Sequence, residues 1–270
     1  MARHRVPERL PSATATPARR PWWLIGLGLA AVTVIAIATL PATLLRGQLA
    51  RTGIDTPALG GSVWRGYATG VTWRGVALGD LRWTVSPWTL LSGGIGGTLD
   101  LKRPDGSLNT KFRASLGGEI RLEDAQATLP VELLSAFPTG VPRGWHGRLT
   151  AQIDELVVTD GWPAALRGTL HMDGLIAPPP RSTSIGSYRV VMPAPQPGTT
   201  NAGELTAEVK DKEGPFSFEG RFTLGRDRSF LLEGMLAPRG ATPPALARSL
   251  ELLGPADASG RRPVSVSGTL

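Results

Sequence analysis

The chain of 270 residues contains no cysteine, which excludes a disulfide framework, an iron–sulfur cluster and a thiol nucleophile. Of its three histidines, only His146 and His171 lie beyond the first few residues, and their neighbours lack the spacing of metal ligands. No G-x-S-x-G or S-x-x-K nucleophile motif occurs. The run Gly93-Gly94-Ile95-Gly96-Gly97 has the glycines of a phosphate loop but no Lys-Ser/Thr pair after it, so a hinge or bulge is the better reading. Glu123-Asp124 and Asp154-Glu155 are adjacent carboxylates, and adjacent strand residues point to opposite faces, so neither makes an acid/base dyad. These absences predict a chain that is not an enzyme, without catalytic, cofactor-binding or metal-binding residues.

Charge is also sparse, at 19% of residues, and lysine contributes only four positions against twenty-five arginines. The net charge of +7 first suggests nucleic acid. Its placement argues otherwise. Arg3, Arg5, Arg9, Arg19 and Arg20 against Glu8 account for over half of it, and no block of five like charges occurs in the remainder. No nucleic-acid partner is expected. Residues 1–20 have no hydrophobic period and read as a disordered basic cytoplasmic tail.

Between Arg20 and Arg46 the chain carries no charge. The core of this run, 22–40, is nineteen apolar or small residues, about 28 Å of helix against a hydrocarbon core of about 30 Å. Trp22 and Trp23 occupy the place of an interfacial aromatic belt, and the arginines before them keep the tail cytoplasmic. A cleaved signal peptide is the competing reading, since Ala36-Ile37-Ala38 fits the A-x-A pattern. The apolar residues continue past that point to Leu45, which favours an uncleaved transmembrane anchor over 21–45 and export of 46–270.

The most distinctive stretch runs over 61–101 and holds four of the eight tryptophans, Trp64, Trp73, Trp83 and Trp88. Leu81, Trp83 and Val85 alternate with polar residues, the period of a half-buried strand. Gly66, Gly75, Gly79 and Pro87 mark turns or bulges along it. Further strands are predicted over 98–101, 108–114, 119–122, 147–156, 165–175, 204–211, 216–224, 229–236 and 262–270, with short helices over 130–136 and 243–254. Residues 41–60 read as a short helix leading into the tryptophan stretch. The segment 177–203 has six prolines and reads as a Pro-rich surface excursion with one weak strand at 188–192. A glycine between alternating apolar positions recurs along the strands, as in Gly220 and Gly268. Glycine weakens a strand, so its repeated use points to bulges or to a large ring lying above it, with the tryptophans as the obvious rings. The fold class expected is mainly β: an N-terminal transmembrane helix followed by a long, curved antiparallel sheet with one or two short packed helices.

The segments P-A-T-L-L at 41–45, G-S-V-W-R-G-Y-A at 61–68, W-R-G-V-A-L-G-D-L-R-W-T-V-S-P-W-T-L-L-S-G at 73–93, E-D-A-Q-A-T-L-P at 123–130, F-E-G at 218–220 and R-R-P-V-S-V-S-G-T-L at 261–270 together resemble the general secretion pathway protein N family of the bacterial type II secretion system. That resemblance implies a single-pass inner-membrane protein with a periplasmic β domain. The implied role is accessory, helping export folded proteins through contacts with other secretion components or cargo. It implies no catalytic residue and no cofactor. The longer arginine-rich tail and the Pro-rich excursion depart from the family pattern. An alternative rests on architecture alone: a curved sheet with an apolar face resembles the bridge-like periplasmic lipid carriers, with acyl chains as partner.

Overall fold

A computed structural model of the chain describes residues 39–136, 144–179, 182–193, 204–240, 250 and 254–269. Residues 1–38, including most of the expected anchor, and most of the helix expected over 243–254 lie outside them. Among the described residues no helix is long and apolar enough to cross a membrane.

The chain enters through a 3-10 turn (Ala42–Leu45) and one short α-helix, α1 (Arg46–Arg51). It then forms fourteen strands of one antiparallel sheet: β1 (Ile54–Asp55), β2 (Ala58–Gly61), β3 (Arg65–Trp73), β4 (Val76–Ser86), β5 (Gly94–Arg103), β6 (Gly106–Ser115), β7 (Ile120–Pro130), β8 (His146–Thr159), β9 (Trp162–Ile176), β10 (Ser184–Met192), β11 (Leu205–Glu213), β12 (Phe216–Leu224), β13 (Ser229–Pro238) and β14 (Arg262–Thr269). From β3 onward each strand pairs with the next, so the sheet is a meander. Among the described residues it stays open: β1 and β2 pair only with β3 at one edge, and β14 pairs only with β13 at the other.

Local sequence explains the hairpins. Arg74-Gly75 and Asp160-Gly161 are two-residue loops with both residues at positive φ, the geometry whose twist matches the flanking strands. Pro104-Asp105 joins β5 to β6, and Arg103 Nε and Nη2 clasp the Asp105 carboxylate at 2.6 and 2.9 Å across that turn. At the β12–β13 turn, Asp227 Oδ1 accepts from the Ser229 amide and hydroxyl at 3.0 and 2.6 Å, which holds its carboxyl below the usual carboxylate range. A depressed folded pKa stabilises above the unfolded value and the effect is lost as pH falls through the folded one. Hydrogen exchange at Ser229 is therefore expected to accelerate as pH falls below the ordinary aspartate range, beyond the intrinsic trend. In Asp227→Ala that extra dependence should be gone.

The register sorts the side chains onto two unlike faces. Leu81, Trp83 and Val85 of β4 stand opposite Leu101, Leu99 and Gly97 of β5. The row continues through Phe112, Leu122, Leu156 and Leu166 on β6 to β9. Farther along, Val190, Val209, Gly220 and Gly234 align on β10 to β13. Ala68, Leu101, Thr110, Ala125, Leu149, Met192, Ala207 and Phe218, all on this face, are buried. The other face is charged, with Lys111 opposite Glu123, Glu155 opposite Arg167, and Lys210 opposite Glu219. Its ion pairs Lys111–Asp124 and Lys210–Glu219, both 2.8 Å, are largely exposed and screened by solvent, so they contribute little. Stability comes from the apolar face.

The 3-10 helix Val131–Ala136 packs a local core on that face: Val131, Leu149 and Leu175 are buried, with Leu134, Trp145, Leu170, Met172, Ile185 and Tyr188 against them. One charge lies among the apolar residues. Asp211 stands opposite Tyr188, accepts from the Phe218 amide at 2.8 Å and pairs with Arg239. Burial pushes the Tyr188 phenol up, with Asp211 adding to the effect, and its hydroxyl donates to the Ile185 carbonyl at 2.9 Å.

Three departures from the sequence expectations have local causes. The strand expected over 119–122 runs on to Pro130, because Asp124, at φ 51°, forms a bulge that breaks the period of two before Ala125, Ala127 and Leu129 resume it. Pro130 is thus the last strand residue, opposite Arg148, and not the first turn of the next helix. Within the segment read as a surface excursion, Ser184–Met192 is a nine-residue strand paired on both sides, with Ile185, Tyr188, Val190 and Met192 turned to the apolar face. Strands also begin before residue 61, where β1 and β2 cover the edge of β3.

Candidate interaction site

The tryptophan–glycine stretch builds the first edge of the sheet. Trp83 lies flat across Gly66 on the neighbouring strand: a Cβ added at Gly66 would stand 2.1 Å from Cζ2 of the ring. The ring's Nε1–H donates to the Val63 carbonyl at 2.9 Å. Trp73 at the end of β3 donates to the Thr52 carbonyl at 3.2 Å, and the Arg74 guanidinium sits 5.2 Å from its ring centroid. Trp64 occupies the bend before β3, half-buried, and its carbonyl accepts from the Val85 amide at 2.6 Å. Gly75 forms the β3–β4 turn at φ 81°. Gly79, at φ 105°, lies where the pairing of β3 with β4 shifts register, and an added Cβ would meet the Lys102 carbonyl oxygen at 2.4 Å.

Gly220, Gly234 and Gly268 are covered by phenylalanines. Gly220 faces Gly234, and added Cβ atoms there would lie 2.7 and 2.8 Å from the ring of Phe218. A Cβ added at Gly268 would lie 2.8 Å from the Phe230 ring, and Phe230 stacks on Phe222 with centroids 6.2 Å apart. The motif F-x-G at 218–220 signals the first of these contacts, since residues two apart share a face. Nothing local signals Phe230 over Gly268, which only strand pairing brings together.

Pro87 opens a 3-10 helix, Pro87–Ser92, between β4 and β5, and Trp88 on it is 77% exposed. Of the four tryptophans in the stretch, Trp88 points to solvent. Leu91 beside it is 83% exposed and Leu116, in the β6–β7 turn, 88%. These leucines were not singled out by sequence reasoning, although P-W-T-L-L in a turn is an apolar run with no core to enter.

A cleft lined by Asp105, Pro130, Gly147, Arg148, Asp173 and Gly174 brings two carboxylates near one another, each engaged by a base: Arg103 on Asp105, and Lys212 on Asp173 at 3.4 Å. His146 Nδ1 lies 2.6 Å from Glu132 Oε1, while His171 sits on β9 opposite Thr150 and Arg189. Among the described residues no three His, Cys, Asp or Glu side chains are placed to hold a metal ion.

The described residues form a single wide sheet with an apolar face, a charged face and an edge at β14 that pairs on one side. The family described as "Type II secretion system (T2SS), protein N" matches residues 53–265, from just before β1 into β14. The chain belongs to that family and is a component of the type II secretion system. It is similar to the type II secretion system protein N of Aeromonas hydrophila, 25% identical over 92% of this chain and 98% of the relative. The proteins of that name from Vibrio cholerae serotype O1 and Klebsiella pneumoniae are 25% and 26% identical, covering 91% and 88% of this chain and 98% and 92% of the relatives. No solved structure matches.

Proposed function

We propose that this chain is a non-enzymatic accessory component of the secretion system, fixed in the inner membrane by residues 21–45 with its sheet in the periplasm, and that it assists export of folded proteins by binding other components. The alignment with the Aeromonas relative, at 92% of the chain, leaves too few residues outside it to omit the whole apolar run, which supports the anchor as a shared part. The observation that carries the binding role is β14. Its eight residues hydrogen-bond to β13 on one side only among the described residues, and Val266 on it is 48% exposed. An edge with unpaired N–H and C=O groups accepts a further strand from a partner. Pro263 near its start limits how far such pairing can extend.

The test is complementation of a deletion strain. Wild-type chain restores export of a folded substrate, whereas Val266→Glu, which puts a charge on the apolar side of the edge, accumulates normally and restores little. Equal export by the deletion strain and the complemented strain removes the accessory role. A second reading is supported by the apolar face from β4 to β13, interrupted by Asp211, which could hold acyl chains. Native mass spectrometry of the purified protein distinguishes it: a stoichiometric phospholipid favours lipid handling, and bare protein does not.

A further inference from the structure

We infer that the end of the sheet bearing the 3-10 helix Pro87–Ser92 rests on a lipid bilayer, with Trp88, Leu91 and Leu116 set into the headgroup layer of the membrane that residues 22–40 enter. This rests on the anchored reading above.

The patch is built, not frayed. Thr89 Oγ1 donates to the Ser86 carbonyl at 2.7 Å and accepts from the Gly96 amide at 2.8 Å, which ties the 3-10 helix to β5. Ser92 Oγ closes onto the Thr89 carbonyl at 2.7 Å, and Gly93, left-handed at φ 77°, ends the helix. The Leu116 amide donates to the Gly93 carbonyl at 3.3 Å, holding the β6–β7 turn beside it. Below this platform Ile95 faces Ala114 and Ala114 faces Ile120, and both isoleucines are more than 40% exposed. The backbone is satisfied while the large apolar side chains are held outward. A contiguous apolar patch of this kind marks an interaction surface.

Two observations identify the occupant. The first is position. The Val63 amide donates to the Leu40 carbonyl at 2.9 Å, and the Val85 amide donates to the Trp64 carbonyl at 2.6 Å, two residues before Pro87. Ala42, wholly buried, fixes the chain there. Leu40, the last residue of the 22–40 run, is therefore at the same end of the sheet as the patch. Leu44, 60% exposed, adds to the apolar surface at that point. The second is chemistry. Tryptophan is the residue of the water–bilayer interface, where its ring is solvated by headgroups at one edge and acyl chain at the other. On the charged face of β6, Arg113 is exposed and forms no ion pair among the described residues, and the acid nearest the patch, Glu119, is engaged by Arg121 Nη2 at 3.2 Å. Arg121 is in turn shared with Glu155 at 3.0 Å, so Arg113 and Arg121 balance these two acids and they present no excess of negative charge to a headgroup layer.

The absence of cysteine makes the test direct. The full chain is labelled with an environment-sensitive fluorophore at Leu91→Cys or Leu116→Cys and reconstituted in vesicles of phosphatidylethanolamine and phosphatidylglycerol containing nitroxide-labelled lipid. Ala77→Cys, about 30 Å away along β4, is the comparison, and Ala31→Cys reports on the anchor separately. Labels at 91 and 116 are expected to shift to the blue and lose most of their emission to the nitroxide, while the label at 77 keeps its emission. Labels at 91 and 116 that behave like 77, with the label at 31 quenched, overturn the proposal and leave the anchor standing. A blue shift at 91 and 116 without quenching places a protein there and also overturns it. No quenching at 31 removes the anchor reading, and with it the proposal that the patch meets the membrane which residues 22–40 enter.

Discussion

Gly66→Ala is expected to destabilise the protein by about 2–3 kcal/mol, and the same substitution is expected to have almost no effect when residue 83 is already alanine. The added methyl would sit 2.1 Å from Cζ2 of Trp83, far inside contact distance. Gly66 is not at positive φ, so the backbone does not oppose alanine, and the whole penalty comes from the ring. Trp83 cannot swing away without losing its hydrogen bond to the Val63 carbonyl, which also sets the bend before β3. Trp83→Ala alone should lose about 3–5 kcal/mol through the lost ring contacts. On that background Gly66→Ala is neutral or slightly stabilising, as alanine is in a strand that has room for it. Thermal or urea denaturation of the four variants measures the coupling. Additive effects would show that the ring and the glycine are independent.

The second large effect is expected at Phe218. Its ring fills the space over the facing pair Gly220 and Gly234, and it is 8% exposed. Phe218→Ala leaves two glycines side by side with nothing above them and should lose about 3–5 kcal/mol. A ring that covers strand glycines limits their exposed backbone and pins the register of the pair. The variant is therefore expected to show faster amide exchange on β12 and β13 in particular, while β5 to β7 retain protection. Loss confined to overall stability, with unchanged local exchange, would contradict the pinning role.

How far the sequence disclosed this molecule depended on the range of the interactions involved. The alternation Leu81, Trp83, Val85 is a local pattern, and it forms β4 as expected because each of those side chains meets an apolar partner on β5. The bulge at Asp124 is local too, but a polar residue at left-handed φ looks in sequence like the end of a strand, and β7 was therefore expected to stop too early. The strand at Ser184–Met192 was underestimated for a different reason. Prolines on both sides of it describe its connections and say nothing of the two neighbours that pair with it. The rings over Gly220 and Gly268 belong to phenylalanines that the tryptophan pattern obscured, and the contact between Phe230 and Gly268 depends on residues far apart in sequence. The apolar patch was least legible. Trp88 reads in sequence as one more packing tryptophan, and only the geometry of the 3-10 helix turns it outward.

The tryptophan block therefore has two jobs on one stretch of chain. Trp83 closes over Gly66 and holds the first edge of the sheet, while Trp88 sits outside any core. The accessory role proposed for the chain joins these to the open edge at β14: one end held near the membrane, the other strand free for a partner. Affinity purification of the full chain from membranes of cells making the whole secretion system tests that role most directly. The result expected is co-purification of other inner-membrane components of the system, reduced by Val266→Glu. Recovery of the chain alone, in a strain whose secretion is unaffected by its deletion, would contradict it.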